Sequence, residues 1–191
     1  MVIAINESKI PPGQSVIDHF IIYSALGIPK VNIRQWKLKI GGLVKKKLIL
    51  GYSDLVRLID TEYIADFHCV ISWSVRNVKW RGISISRIAQ MAEIKPEVKW
   101  LFVKCLDGYT TIIPIEDVLN PQSMVVLEID NLPLKPEMGF PARLFVPHLY
   151  GWKSAKWLSE LIFTKKYRSG YWEERDYHKR GNVWLEERFK D

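Results

Sequence analysis

The chain has 191 residues, 48% of them hydrophobic and 26% charged, with a net charge of +7. A globular chain of that length buries roughly 70% of its unfolded surface, enough for one sizeable core, and two cysteines are too few for a disulfide framework and fit no zinc spacing. The positive residues are dispersed, with Lys45-Lys46-Lys47 the longest run, so the charge fits a basic cleft for a small anionic ligand better than a nucleic-acid surface.

The opening, to about Pro29, is apolar but irregular, punctuated by Pro11-Pro12-Gly13 and Gly27, and is expected to lie across the core without a long element. Phe20 to Leu26 is too short and interrupted for a membrane span, and no twin-arginine pair or leader pattern precedes it. A cytoplasmic protein without a membrane association is the expectation. Gln35 to Ile40 has strand periodicity, and Gly41-Gly42 turns it into a second strand near Leu43 to Leu50. Ser53 is placed to cap a short helix, Asp54 to Ile59.

A strand over Glu62 to Ile71 is expected to end in a loop around Trp73 to Arg81. Ser84 or Ser86 can cap a helix Arg87 to Glu93, closed off by Pro96. Lys99 to Cys105 and Thr110 to Ile113 read as paired strands around Asp107-Gly108. Met124 to Ile129 is a further strand, followed by a turn at Asp130-Asn131. Ala142 to Val146 is a short strand in a proline-rich stretch, and Ser154 to Phe163 leans to strand over helix. Short strands interleaved with short helices, without regular βαβ spacing, predict an α+β domain with mixed β-sheets. Residues 1–191 form one domain in this reading, with 167–191, dense in Tyr, Trp and charge, as a C-terminal arm docked on it or used in a dimer.

Phosphate-binding loops of the glycine–lysine kind, GxGxxG, GxSxG and HExxH patterns are all missing. His19, His68, His148 and His178 are too far apart for spacing to indicate a metal pair. Cys69 ends an apolar strand and precedes the polar, aromatic run to Ser74, so its sulfur can face a cleft, and a thiolate is a soft ligand for a heavy metal. Taken alone, a buried inert cysteine is the commoner use. Met138 to Arg143 and Gly151 to Trp157 combine an arginine for a bidentate grip with a glycine-initiated turn, a hydroxyl at Ser154 and a point charge at Lys156. Loop packing with a solvated face is the plainer account of that segment by itself.

Together these segments resemble the molybdopterin-binding domain shared by sulfite oxidases, assimilatory nitrate reductases and a bacterial methionine-sulfoxide reductase subunit. The match is nearest to a group of small sulfite-oxidase-like proteins. The Cys69 run with Trp73, Trp80-Arg81-Gly82, Asp107-Gly108-Tyr109, the Gly151 to Trp157 run and the tail follow that group in order and spacing, from about Pro12 to Phe189. The resemblance implies a molybdenum–molybdopterin cofactor, without haem, in which Cys69 ligates the metal. It implies that Arg143 binds the pterin, that Asp107 touches it, and that Ser154, Ala155 and Lys156, with neighbouring Gly151 and Lys153, contact its phosphate end. Relatives carry a His or Asn where Met138 stands here.

The same resemblance implies oxygen-atom transfer on a small molecule, with electrons exchanged with a separate redox partner, in a monomer or homodimer. Sulfite oxidases place an arginine for their anionic substrate on the N-terminal segment, where this chain reads Phe20-Ile21-Ile22-Tyr23-Ser24-Ala25. Tyr23 is thus the candidate catalytic side chain from that region, and an uncharged oxo donor such as a sulfoxide or N-oxide is expected, with a non-catalytic pterin-binding or carrier module, or sulfite oxidation, as the alternatives. Arg76, Lys79 and Arg81 are the positive residues that could still serve an anion near Cys69.

Overall fold

A computed structural model describes residues 9–190; the first eight residues of the opening segment and Asp191 of the C-terminal arm lie outside the described residues. Among the described residues, two mixed sheets form the body, with three short helices. In chain order the elements are β1 (Ser15–Ile17), β2 (Lys37–Gly42), β3 (Leu48–Gly51), α1 (Tyr52–Leu58), β4 (Thr61–His68), β5 (Trp73–Ser84) and α2 (Ile85–Ala92). They continue with β6 (Trp100–Cys105), β7 (Thr110–Pro114), α3 (Ile115–Val118), β8 (Met124–Ile129), β9 (Leu132–Pro133), β10 (Arg143–Phe145) and β11 (Leu158–Thr164). The first sheet runs β1-β5-β8-β10, with β4 paired to β5 and β9 to β8; the second runs β3-β2-β11-β6-β7. The α+β expectation with mixed sheets agrees with this architecture.

Alternation decides which face of each strand is buried. In β2, Leu38 and Ile40 point into the main core while Lys37 and Lys39 face outward. That core continues through Leu101, Val103, Leu158, Leu161 and Phe163 of the second sheet to Ile83, Val125 and Leu144 of the first. A second, aromatic-rich cluster lies on the opposite side of the first sheet, where Trp80 and Phe145 stack with centroids 3.9 Å apart beside Phe67 and Trp73.

Several local expectations are corrected. The loop expected over Trp73 to Arg81 is the longest strand, β5. Its period is broken at Asn77, which has a φ of 55° and donates its N–H to Asp66, where the pairing with β4 also shifts register. Helix α1 starts at Tyr52 rather than after Ser53, because the Asp54 carboxylate reaches back to the Gly51 N–H at 2.8 Å. Ser84, one of the two expected caps, caps α2 through the Arg87 N–H, and the helix starts at Ile85, two residues before the expected Arg87. Residues 154–157 do not belong to β11: Gly151–Lys153 is a 3-10 turn, and Trp157 has a φ of 54°.

The last stretch carries no strand among the described residues. It carries two 3-10 turns, Glu173–Arg175 and Val183–Leu185; the isolated bridge Leu149↔Asn182 ties it to the body and Tyr177↔Phe189 pairs it with itself. Glu173 holds it to the body. Its carboxylate is fully buried against the Lys153 ammonium and accepts from the Thr111 hydroxyl at 2.7 Å.

Candidate functional site

Strand β4 ends at His68, and the four residues Cys69 to Ser72 turn the chain into β5. The turn is closed by Cys69 N–H donating to Trp73 O at 2.8 Å and Ser72 N–H to Cys69 O at 3.2 Å, with Ser72 in the left-handed region. A sheet on both flanks therefore fixes the sulfur. Cys69 is half-buried, and burial pushes its thiol up while nearby N–H groups and the Arg188 charge pull it down. Cys105 is instead buried in the main core.

Cys69 lines a cavity of about 370 Å³, within the range of small-molecule sites. Tyr23, Asp107, Arg143, Gly151, Ser154, Ala155 and Lys156 line the same cavity, so most of the sequence-derived set converges on one place. Aromatic walls come from Phe67, Trp73, Trp152, Trp157, Trp172 and Tyr177. Tyr23 sits at the rim, 65% exposed, with its ring 6.3 Å from that of Trp172.

Lys153 is the exception. Its side chain is fully buried away from the cavity, with Nζ bonded to Glu173, Ile112 O at 2.7 Å and Lys179 O at 2.7 Å. The 3-10 turn sends Lys153 inward to the C-terminal stretch, so its expected phosphate role is replaced by a buried ion pair. Lys156, past the turn, is the lysine that reaches the cavity.

Two cations face this space without a carboxylate within 4 Å among the described residues. Arg143 is 3% exposed, and burial brings its pKa down to about 10. Its Nη atoms donate only to Met138 O at 3.2 Å and Ser154 O at 3.3 Å, and its Nε has no partner. Lys156 falls to about 8 through burial and the Arg143 charge, with Nζ donating to Tyr23 O at 2.7 Å and Glu137 O at 3.1 Å. Asp107 lines the wall with one oxygen accepting from Tyr109 N–H at 3.0 Å, and burial raises its pKa.

A large, partly polar, anionic ligand fits these features. Ser154 Oγ, Trp73 Nε1 and Trp152 Nε1 are buried without partners, as is Arg143 Nε, on residues that line the cavity. Such orphaned groups are costly unless a ligand or water meets them. Glycine makes room: a Cβ on Gly151 would come within 2.4 Å of the Phe67 ring, and Gly139 has a φ of 108° with Arg143 and Lys156 packed over it. No group of three or more His, Cys, Asp or Glu suited to a metal occurs among the described residues, so a metal at Cys69 would take its other ligands from a cofactor.

Arg76, Lys79 and Arg81 turn away. Each is engaged along the first sheet, with Asp66 at 3.7 Å, Glu62 at 2.8 Å and Glu128 at 2.8 Å respectively, and none lines the cavity. Sequence reading missed Trp172 and Tyr177 as cavity residues. The density of aromatics in the tail signalled docking, but nothing in their spacing indicated which ones reach the site.

The family model for the oxidoreductase molybdopterin binding domain matches residues 25–172. An uncharacterized oxidoreductase of Bacillus subtilis, YuiH, is 36% identical over 185 residues, which cover 96% of this chain and 93% of YuiH. The protein-methionine-sulfoxide reductase catalytic subunit MsrP of Campylobacter jejuni is 30% identical over 159 residues, 74% of this chain and 53% of MsrP, so this chain spans about half that relative's length. The sulfane dehydrogenase SoxCD of Paracoccus pantotrophus has the same fold, with a TM-score of 0.69 at 24% identity, covering 78% of this chain and 42% of that one. On this match and the site it spans, the chain belongs to the oxidoreductase molybdopterin-binding domain family, whose relatives include methionine-sulfoxide reductase and sulfite oxidase.

Proposed function

We propose that this protein holds a molybdenum–molybdopterin cofactor and reduces a small uncharged oxo donor, such as a sulfoxide or N-oxide, with electrons from a separate partner. The observation that carries the reading is that the Cys69 thiol and two cations lacking acid partners, Arg143 and Lys156, line one cavity. Cys69 would ligate the metal, Arg143 and Asp107 would meet the pterin, and Ser154, Ala155 and Lys156 would hold its phosphate end against Gly151. The bound cofactor supplies the two-electron oxygen-atom chemistry.

The chain's own residues would position that group and choose what reaches it. The sheet-anchored turn holds the Cys69 sulfur, and aromatic walls limit water. Tyr23 at the rim would offer a phenol to a neutral oxo group. A neutral substrate is favoured because Ile21, Ile22, Tyr23 and Ile71 line the entrance, while Arg76, Lys79 and Arg81 are paired elsewhere. A doubly charged anion there would lose hydration without opposed charge. A cytoplasmic setting belongs to the same proposal, supported by two free cysteines; no helix among the described residues is long and apolar enough to cross a membrane.

The test uses protein made in a host that synthesises the cofactor. Wild type and Cys105→Ser should carry molybdenum and pterin, reduce sulfoxides or N-oxides with a dye donor, and show a thiolate-to-metal absorption band that Cys69→Ser lacks. Metal-free protein, or sulfite oxidation at low-millimolar sulfite with no reduction of neutral donors, would refute the reading.

A further inference from the structure

The turn that carries Cys69 is braced from outside the cavity at two places. One brace is polar and buried: Gln14 Nε2 donates to Cys69 O at 3.1 Å, Ser74 Oγ donates to Gln14 Oε1 at 2.9 Å, and His68 Nδ1 lies 2.8 Å from Ser74 Oγ. The other comes from the far end of the chain. Arg188 Nη1 donates to Val70 O and lies 3.3 Å from Ser72 Oγ, so it grips both residues on either side of the turn's tip. Its Nη2 donates to Gly13 O at 3.1 Å and Pro12 O at 3.4 Å, and its guanidinium carbon lies 5.0 Å from the Tyr150 ring centroid.

One side chain thus joins the Cys69 turn, the N-terminal run, the residue before Gly151 and the C-terminal stretch. Only a planar fork can serve two carbonyl rows at once. The Arg188 side chain is 16% exposed, whereas its acid neighbour Glu186, at 3.6 Å, is half exposed, so water screens the acid more than the cation. Val70, whose carbonyl accepts from Arg188, directly follows Cys69, so the positive field lies against the turn that carries the sulfur. Groups one step behind a metal ligand commonly set its orientation and electron donation.

We propose that Arg188 is a positioning residue for the Cys69 sulfur, shaping the turn through Val70 and Ser72 while keeping a positive charge against that turn. The proposal rests on Cys69 being the metal ligand. A cation there withdraws density from the sulfur, so the metal is easier to reduce with Arg188 than without it. The polar brace through Gln14 holds the turn's base, and Arg188 sets its tip and its field.

Cofactor-loaded wild type, Arg188→Gln, Arg188→Lys and Cys69→Ser would be compared by absorption spectrum, metal midpoint potential and unfolding midpoint. Arg188→Gln should shift the thiolate-to-metal band and lower the potential. Arg188→Lys should keep the potential near wild type, because the charge stays, yet still shift or broaden the band, because a single ammonium cannot hold both rows of carbonyls. Wild-type band and potential in Arg188→Gln would overturn the role, and so would identical shifts in the Gln and Lys variants, which would indicate loosened packing alone. If Arg188→Gln does not fold, Arg188→Lys still decides, since an unchanged band overturns the fork. A band that survives Cys69→Ser overturns the ligand assignment itself and this role with it.

Discussion

Replacing Arg143 with Met tests whether a buried charge is kept for a ligand rather than for the fold. The guanidinium is 3% exposed, has no carboxylate within 4 Å among the described residues and leaves Nε unbonded. A guanidinium pKa brought down to about 10 by burial corresponds to roughly 3 kcal/mol against the charged form in the ligand-free protein. Met removes that penalty but loses the contacts with the Phe67 and Trp80 rings, at 5.5 and 5.7 Å, and repacks imperfectly. Those losses cost about 1–2 kcal/mol. Ligand-free Arg143→Met should therefore be more stable than wild type by about 1–2 kcal/mol, or roughly 2–8 °C in unfolding midpoint. With cofactor the sign reverses, since each charge-assisted hydrogen bond lost is worth about 1.5–3 kcal/mol. Thermal unfolding of both forms, with pterin content measured after denaturation, gives both signs. A ligand-free variant that melts several degrees below wild type, with unchanged pterin content, would refute the reasoning.

Lys156, held at about 8 by burial and Arg143, predicts a pH effect. Between 8 and its unfolded value of 10.5 the unfolded chain binds the extra proton, so this group's contribution to ligand-free stability rises with pH across that window. Cofactor retention runs the other way, declining as pH passes about 8, and Lys156→Arg should hold it level; gel filtration at neutral and alkaline pH, with pterin assayed in the protein peak, checks both. Gly151→Ala should cost about 1–3 kcal/mol and lower pterin content, because its Cβ meets a Phe67 ring already wedged among Phe20, Trp73 and Trp80; equal denaturant midpoints would count against the tight approach. Glu173→Gln leaves Lys153 buried without its counter-charge, which should cost about 3–5 kcal/mol and expose residues 165–190 to protease. The pair Lys153→Met with Glu173→Leu should recover most of that loss, and a double variant no better than the single would refute the pairing.

The features legible in the sequence were those set by local pattern. Met124–Ile129 is a short apolar run broken only by Glu128 and is a strand over those same residues, and the Asp107-Gly108 turn joins β6 to β7 as expected. β5 was hidden because the Asn77 bulge moves side chains out of step, so a period-two reading sees a loop. The site shows the same division. Cys69 and Arg143 could be named from strand ends and motif, whereas Lys153 and Lys156 look equivalent in sequence. Only the tight turn at Gly151–Lys153 separates an ion-pair lysine from a cavity lysine. Trp172 and Tyr177 belong to a stretch placed by Glu173 and Arg188, whose partners lie far away in the chain, and spacing carries no trace of such contacts.

The cavity takes its walls from Phe20 near one end of the chain and Tyr177 near the other, with Cys69, Asp107 and Arg143 between. No short contiguous fragment contains the pocket, so a cofactor bound there would not nucleate the fold as zinc does in a small finger. A ligand there would bind the native state alone, and its binding free energy would add to the stability of the whole molecule. A cofactor held in this pocket would then load only after folding, since both terminal stretches supply part of its wall.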